Sequence, residues 1–325
     1  MKFGYFSALL FCTALLLSGC GARETQETVE SLPPKPAAFT RKSKIEDVKH
    51  DPVFGSYGRL LFPVEDAYYS GDTLEDLGLT YYSHIDSDET VEIVNTLRAR
   101  AEAGQTIFYD IYTAEEKAAD PAKEDTGLFF FKGTPGEKFA ICNAGGAFAY
   151  VGAMQDSFPH ALELSQKGYN AFALIYRPGA QTACEDLARA IRFIFDHADE
   201  LEVDTDYYSL WGGSAGARMA AWLGSYGPEA FGGGDLPRPG TVIMQYTGLS
   251  EYSESDPPTY ACVGDQDGIA NWRVMQARLE TMQQAGIDTE FHVYSGLGHG
   301  FGLGTGTSAE GWIDDAVSFW ERQME

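Results

Sequence analysis

From Gly127 to the C-terminus, short apolar runs alternate with helical patterns. That alternation limits the fold more than any other feature. The runs are Leu128–Lys132, Lys138–Asn143, Ala171–Tyr176, Tyr208–Trp211, Thr241–Tyr246, Thr259–Val263 and Glu290–Tyr294. Several are apolar at consecutive positions, as strands buried on both faces are. Between them, apolar residues recur at helical spacing: Leu187, Ile191, Ile194 and Ala198; Trp272, Met275, Leu279 and Met282; Trp312, Ala316 and Phe319. The expected class is α/β, with a mostly parallel central sheet flanked by helices. About a dozen residues separate Thr241–Tyr246 from Thr259–Val263, so no large lid insertion is expected there.

The N-terminus reads differently. Lys2 precedes an apolar run from Phe3 to Leu17, which is short for a membrane span of about 20 residues. The run ends in Leu17-Ser18-Gly19-Cys20, which resembles a bacterial lipobox. That resemblance implies a signal peptide over residues 1–19, lipidation at Cys20 and an extracytoplasmic, membrane-anchored protein. Residues 20–50 are polar and carry Pro33, Pro34 and Pro36, so they read as a flexible tether. Residues 51–325 read as one globular domain, with 51–127 an N-terminal extension holding the first strands. There, Val91, Val94, Leu97 and Ala101 predict a helix over Thr90–Ala103, with Asp88 as N-cap and Gly104 as stop. Gln105–Tyr112 predicts a strand. Tyr57, Tyr68, Tyr69, Tyr81 and Tyr82 are expected to pack against the sheet rather than line a groove.

The 48 acidic residues outnumber 23 Lys and Arg, for a net charge of −25. A phosphate backbone would be repelled, which excludes nucleic acid as a partner, and the lipid is the one expected membrane contact. Once Cys12 leaves with the signal and Cys20 carries lipid, Cys142, Cys184 and Cys262 remain. Three widely spaced cysteines make neither a disulfide framework nor a metal knuckle, so buried free thiols and no metal are expected.

The chemistry centres on Trp211-Gly212-Gly213-Ser214-Ala215-Gly216, a G-x-S-x-G between a strand and a helix pattern over Ala217–Leu223. A serine at a sharp strand-to-helix turn stands clear of the sheet, and glycines around it leave room for the strained backbone. Serine needs a base. Of His50, His84, His160, His197, His292 and His299, His299 sits in a glycine-flanked loop after a late strand, Ser295-Gly296-Leu297-Gly298-His299-Gly300. His292 is expected to be fixed within its strand, and His197 to be a surface residue. The base needs an orienting carboxylate. Gly264-Asp265-Gln266-Asp267-Gly268 ends the preceding strand, and spacing favours Asp267, leaving Asp265 to bond its own turn. The tetrahedral intermediate needs N–H donors. Ala215, after the nucleophile, is one; the loop Asn143-Ala144-Gly145-Gly146-Ala147-Phe148 supplies the other from Gly145, Gly146 or Ala144.

Together these features resemble an α/β-hydrolase of the acetyl esterase/lipase kind, close to the branch whose oxyanion loop reads C-P-G-G-G-Y. Here the loop reads Cys142-Asn143-Ala144-Gly145-Gly146-Ala147. Ile175-Tyr176-Arg177-Pro178, Glu185-Asp186 opening a helix, and Asp204-Thr205-Asp206 before the nucleophile strand are also similar. The histidine of H-G-G-G relatives is absent, and Ala217 stands where glycine is frequent. The resemblance covers roughly Gly127 to the C-terminus. It implies the fold, a Ser214–His299–Asp267 triad, no cofactor, and hydrolysis of short-acyl esters of a small molecule or an acylated carbohydrate. Two alternatives compete: a prolyl-oligopeptidase-type peptidase, for which no propeller-sized N-terminal domain is present, and a non-catalytic surface binding lipoprotein.

Overall fold

The computed structural model describes residues 37–62 and 66–325. The expected signal peptide, Cys12 and Cys20 lie outside the described residues. Among the described residues, no helix is long and apolar enough to cross a membrane.

The central sheet has eight strands: β1 (Phe108–Tyr109), β2 (Gly127–Phe131), β3 (Lys138–Asn143), β4 (Asn170–Ile175), β5 (Asp204–Gly213), β6 (Thr241–Gln245), β7 (Thr259–Gly264) and β8 (Thr289–Tyr294). Their order across the sheet is β1-β2-β4-β3-β5-β6-β7-β8. The β1–β2 and β2–β4 pairs are antiparallel, and every other pair is parallel. The strands read from uninterrupted apolar runs are the buried ones: β2, β4, β6 and β7 are covered along their whole length. The main helices are α1 (Ser87–Glu102), α2 (Phe158–Gln166), α3 (Ala180–Asp196), α4 (Ala215–Tyr226), α5 (Trp272–Gln284) and α6 (Trp312–Arg322). Their apolar stripes enter the core through Leu187, Ile191 and Ile194, through Met275, Leu279 and Met282, and through Trp312, Ala316 and Phe319.

Several expectations are corrected. The fold begins before Asp51. Ile45 and Val48 are buried, and the Phe39 N–H donates to Asn95 Oδ1 (2.9 Å), so the stretch up to residue 50 that reads as tether is packed from residue 38 on. Two lone apolar residues in a charged run gave no periodic signal, yet they find a pocket. The strand expected over Gln105–Tyr112 shrinks to two residues, because β1 is an edge that pairs only Phe108 with Phe129 and Tyr109 with Leu128. The N-cap of α1 is Asp86, which accepts the Asp88 N–H at 2.8 Å. Glu185 and Asp186 do not open a helix; α3 starts at Ala180, one turn earlier.

Candidate active site

β5 ends at Gly213 and α4 begins at Ala215, so the reversal falls on Ser214 alone, at φ +50° and ψ −115°. A side chain with a Cβ is strained at such φ. The turn is held by its surroundings. The Ser214 N–H donates to the Gln245 carbonyl on β6 (3.0 Å). A Cβ on Gly212 would collide with the Gly216 backbone, and one on Gly216 with the Asn143 carbonyl oxygen. Glycine is therefore required where helix and strand cross. Ser214 lies on the wall of an open cavity of about 460 Å³.

His299, in the loop after β8, reaches that wall. Its Nε2 lies 2.9 Å from Ser214 Oγ, and its Nδ1 lies 2.8 Å from Asp267 Oδ2. The Asp267 carboxylate is fully covered, and its other oxygen accepts the N–H groups of Ile269 and Ala270, both at 2.7 Å. Three donors thus fix the carboxylate, and the carboxylate fixes the ring. Asp265 does not bond its own turn. It accepts from the Gly296 N–H (2.7 Å) and Ser295 Oγ (3.3 Å), so it ties the β7 loop to the loop carrying His299. The other histidines stay away from Ser214. His292 pairs with Glu290 within β8, His197 caps α3 against the Phe193 carbonyl, and His160 is buried against Gln245.

The loop after β3 carries positive φ at Gly146 (+128°), Ala147 (+55°) and Phe148 (+58°). Gly145, expected as a candidate oxyanion donor, is otherwise engaged: its N–H donates to Asp156 Oδ2 at 2.8 Å. The N–H groups of Gly146 and Ala147 have no acceptor among the described residues. Ala147 lines the cavity with Ser214. Ala215 opens α4, so its N–H has no intrahelical acceptor. The Ala144 carbonyl accepts from Tyr176 Oη (2.7 Å), and Asn143 stitches β3 to β5 through Nδ2 and the Trp211 carbonyl (2.9 Å). Asn143 and Ala144 therefore hold the loop in place.

Comparisons with known proteins bear on the fold. A family model described as BD-FAE matches residues 134–285, a little under half of the chain. No curated protein matches the chain. Among solved structures, an acetyl ester-xyloside bifunctional hydrolase from Caldicellulosiruptor lactoaceticus is 19% identical, with a TM-score of 0.58 over 66% of this chain and 95% of its own. A thermophilic esterase from Thermogutta terrifontis, with propionate bound, is 20% identical, with a TM-score of 0.55 over 66% and 93%. MGS-M1, an α/β hydrolase enzyme from a Medee basin deep-sea metagenome library, is 21% identical, with a TM-score of 0.52 over 61% and 93%. The chain has the α/β-hydrolase fold. Ser214, Asp267 and His299 follow β5, β7 and β8, all at the C-terminal ends of parallel strands, where such sheets place their sites.

One carboxylate near Ser214 has no counterpart among the residues expected from sequence. Asp156 is buried, and a Cβ built on Gly145 would lie 2.9 Å from both Asp156 Oδ2 and Ser214 Cβ. Besides the Gly145 N–H, it accepts from Tyr82 Oη (3.1 Å) and, more closely, from Tyr246 Oη. Burial raises its pKa, and the hydrogen bonds from Tyr246, Gly145 and Tyr82 pull it back in part. The Tyr246 ring in turn meets the His299 ring edge-on, centroids 5.0 Å apart. The available signal was a lone acid in the otherwise uncharged stretch Ala153–Pro159.

The remaining motifs are structural. Arg177 pairs with buried Asp186 (2.7 Å) and with Asp120 (2.9 Å). Burial opposes the Arg177 charge, but the hydrogen bonds and charge of Asp186 outweigh it and raise its pKa. Tyr68 stacks on Tyr150 and Tyr57 on Phe108, but Tyr57 also lines a cavity of about 360 Å³ remote from Ser214, and Tyr81 is exposed, so the expectation of packed tyrosines holds only in part. Cys142, Cys184 and Cys262 are free and buried, and burial pushes the Cys184 thiol up to about 12.

Proposed function

We propose that this α/β-hydrolase is a serine esterase for short acyl groups, with acylated carbohydrate or its fragments as the natural substrate. The observation that carries the reading is the unbroken hydrogen-bonded chain Ser214 Oγ–His299 Nε2, His299 Nδ1–Asp267 Oδ2 on the cavity wall. Ser214 Oγ attacks the ester carbonyl while His299 Nε2 takes its proton. The carbonyl oxygen becomes an oxyanion, received by the N–H of Ala215 and that of Gly146, with Ala147 beside it. The intermediate collapses to an acyl-enzyme, and the alcohol leaves with the proton from His299. Water, deprotonated by His299, then releases the acid and restores Ser214. Asp267 keeps Nδ1 protonated, so that Nε2 faces the serine as a base.

Support for short acyl groups comes from the small residues Ala147, Ala180 and Ala270 on the cavity wall, beside the larger Phe148, Trp222 and Ile269. Carbohydrate as the alcohol side rests on likeness alone. One neighbour is described as an acetyl ester-xyloside hydrolase, and the Thermogutta esterase is described as phosphorylated by paraoxon. We also propose attachment outside the cytoplasm through lipid at Cys20, which a shift of Cys20→Ala from membrane to soluble fractions would check.

The test is labelling by a fluorophosphonate probe together with a p-nitrophenyl ester series. Labelling and acetate hydrolysis are expected in the native protein, both lost in Ser214→Ala. A well-folded protein that neither labels nor hydrolyses any ester would overturn the esterase reading. Faster turnover of palmitate than acetate would overturn the short-acyl part.

A further inference from the structure

The cavity at Ser214 is lined by the apolar Phe148, Trp222 and Ile269 and by polar groups of Ser214, Tyr246 and Thr247. Apart from His299, the one charged side chain on its wall is Arg218. Arg218 stands four residues after Ser214, in the first turn of α4, and its N–H bonds the Ser214 carbonyl (3.1 Å). The half-buried side chain lies over Trp222, with the guanidinium carbon 5.8 Å from the ring centroid. No hydrogen bond or ion pair engages that guanidinium among the described residues.

That isolation is unusual in a chain where acidic residues outnumber basic ones about two to one. Several buried or half-buried arginines find carboxylates, as Arg177 with Asp186, Arg278 with Asp256 and Arg189 with Glu116, whereas half-buried Arg100 has, among the described residues, only the Ser165 hydroxyl and the Phe131 ring. Nor does Arg218 serve the helix. A cation in the first turn faces the positive end of the helix dipole and is disfavoured there. A second cavity of about 270 Å³ adjoins the first, shares Arg218 and Trp222 with it, and continues to Tyr226 and Tyr252. Its one acidic lining residue is Glu251, whose backbone carbonyl is bonded by Arg278. Arg218 therefore stands where the two cavities meet, with an aromatic plane beneath it and its donors unengaged.

We propose that Arg218 is an anion site for substrate: the ester processed at Ser214 carries a carboxylate, which the guanidinium binds while the adjoining part of the substrate lies against Trp222. The fork of guanidinium N–H groups matches a carboxylate, and the aromatic face keeps the planar group oriented. The overall charge of −25 does not oppose this. Surface charges are screened beyond about 8 Å at physiological salt, so the nearest cation governs one small carboxylate inside the cavity. The carboxylate can belong to the acyl part, as in a dicarboxylic half-ester, or to the alcohol part, as in an acylated uronic acid. The proposal rests on the esterase reading.

The experiment compares kcat/KM for two matched pairs in the native protein, Arg218→Gln and Arg218→Lys. The acyl pair is p-nitrophenyl acetate and mono-p-nitrophenyl succinate; the alcohol pair is acetylated methyl glucoside and acetylated glucuronic acid. In parallel, Ser214→Ala and Ser214→Ala/Arg218→Gln are titrated calorimetrically with monomethyl succinate and with glucuronate. In one pair, the charged-to-neutral ratio is expected to fall about 10- to 100-fold in Arg218→Gln, with Arg218→Lys between. The matching anion should bind Ser214→Ala and not the double variant. Neutral esters turned over with both ratios within twofold of native, and anion binding absent or independent of Arg218, would overturn the anion site and leave the esterase reading standing. Anion binding that requires Arg218 without hydrolysis of any ester would support the site and overturn the esterase reading instead.

Discussion

Replacing Asp267 by asparagine separates two roles that one carboxylate performs. In the native site one oxygen accepts from the N–H groups of Ile269 and Ala270, each at 2.7 Å, and the other faces His299 Nδ1 at 2.8 Å. Asparagine has one oxygen and one NH₂ for those places. If the NH₂ faced the two backbone donors, both hydrogen bonds would be lost inside a fully covered site, at about 2–6 kcal/mol. The oxygen therefore stays with the backbone, and the NH₂ points at Nδ1. His299 must then accept at Nδ1 and carry its proton on Nε2, facing Ser214 Oγ at 2.9 Å with no lone pair to offer. The base is disabled while the fold is kept. Loss of the correct tautomer in a serine triad lowers kcat on the order of 10⁴-fold, equivalent to about 5 kcal/mol in the barrier. The assay is kcat and KM for p-nitrophenyl acetate, with urea unfolding run alongside. The expected result is a kcat fall of that order, a nearly unchanged KM and near-native stability. A fall of less than about 30-fold in a stable Asp267→Asn protein would refute the assignment of Asp267 as the group that sets the tautomer.

Two further predictions concern buried titratable groups. Burial lowers the His160 pKa to about 4, so between its ordinary value of 6.5 and 4 the unfolded chain binds the proton and the folded one does not. Stability from this group is present above that window and lost as pH falls through it, by up to roughly 3 kcal/mol. Relative to the native protein, His160→Gln should therefore gain stability as pH drops from 7 to 4.5 in urea unfolding; an unchanged difference would refute the buried neutral ring. Asp156 has the opposite sign. Its folded pKa is raised, so the folded state holds the proton more tightly, and its contribution declines as pH rises through the folded value. The stability deficit of Asp156→Asn should shrink from acid to neutral pH, and a deficit that widens would count against the burial argument.

What the sequence revealed followed from periodicity and local turns. Strands buried on both faces leave uninterrupted apolar runs, and β2, β4, β6 and β7 have them. Ser214 was legible because its strain needs glycines at adjacent positions, and His299 because glycines flank it. Asp267 was separable from Asp265 by loop spacing, but the partner of Asp265 was not, since it lies on the next loop. Asp156 was illegible for the same reason on a larger scale. Its donors Gly145, Tyr82 and Tyr246 are 11, 74 and 90 residues away, and no local pattern encodes such a meeting. The packed start of the domain at residues 38–50 failed similarly, because burial of Ile45 and Val48 is a tertiary event in a polar stretch.

The N-terminal extension acquires a role from these distant meetings. Three catalytic candidates sit on loops, and the loop of His299 is glycine-rich and would be mobile if unsupported. The extension braces it. The Ser83 N–H donates to the His299 carbonyl (3.0 Å), Tyr82 reaches Asp156, and the Thr80 and His84 carbonyls accept from Tyr150 Oη and Gln155 Nε2. Residues 80–84 thus link the His299 loop to the segment that follows the Gly145–Gly146 turn. No described residue of 51–127 lines the cavity at Ser214. The extension is therefore placed to hold the His299 loop and the Gly145–Gly146 loop in register, whereas the cavity at Ser214 is lined by Phe148, Trp222 and Ile269 from the part of the chain after residue 127.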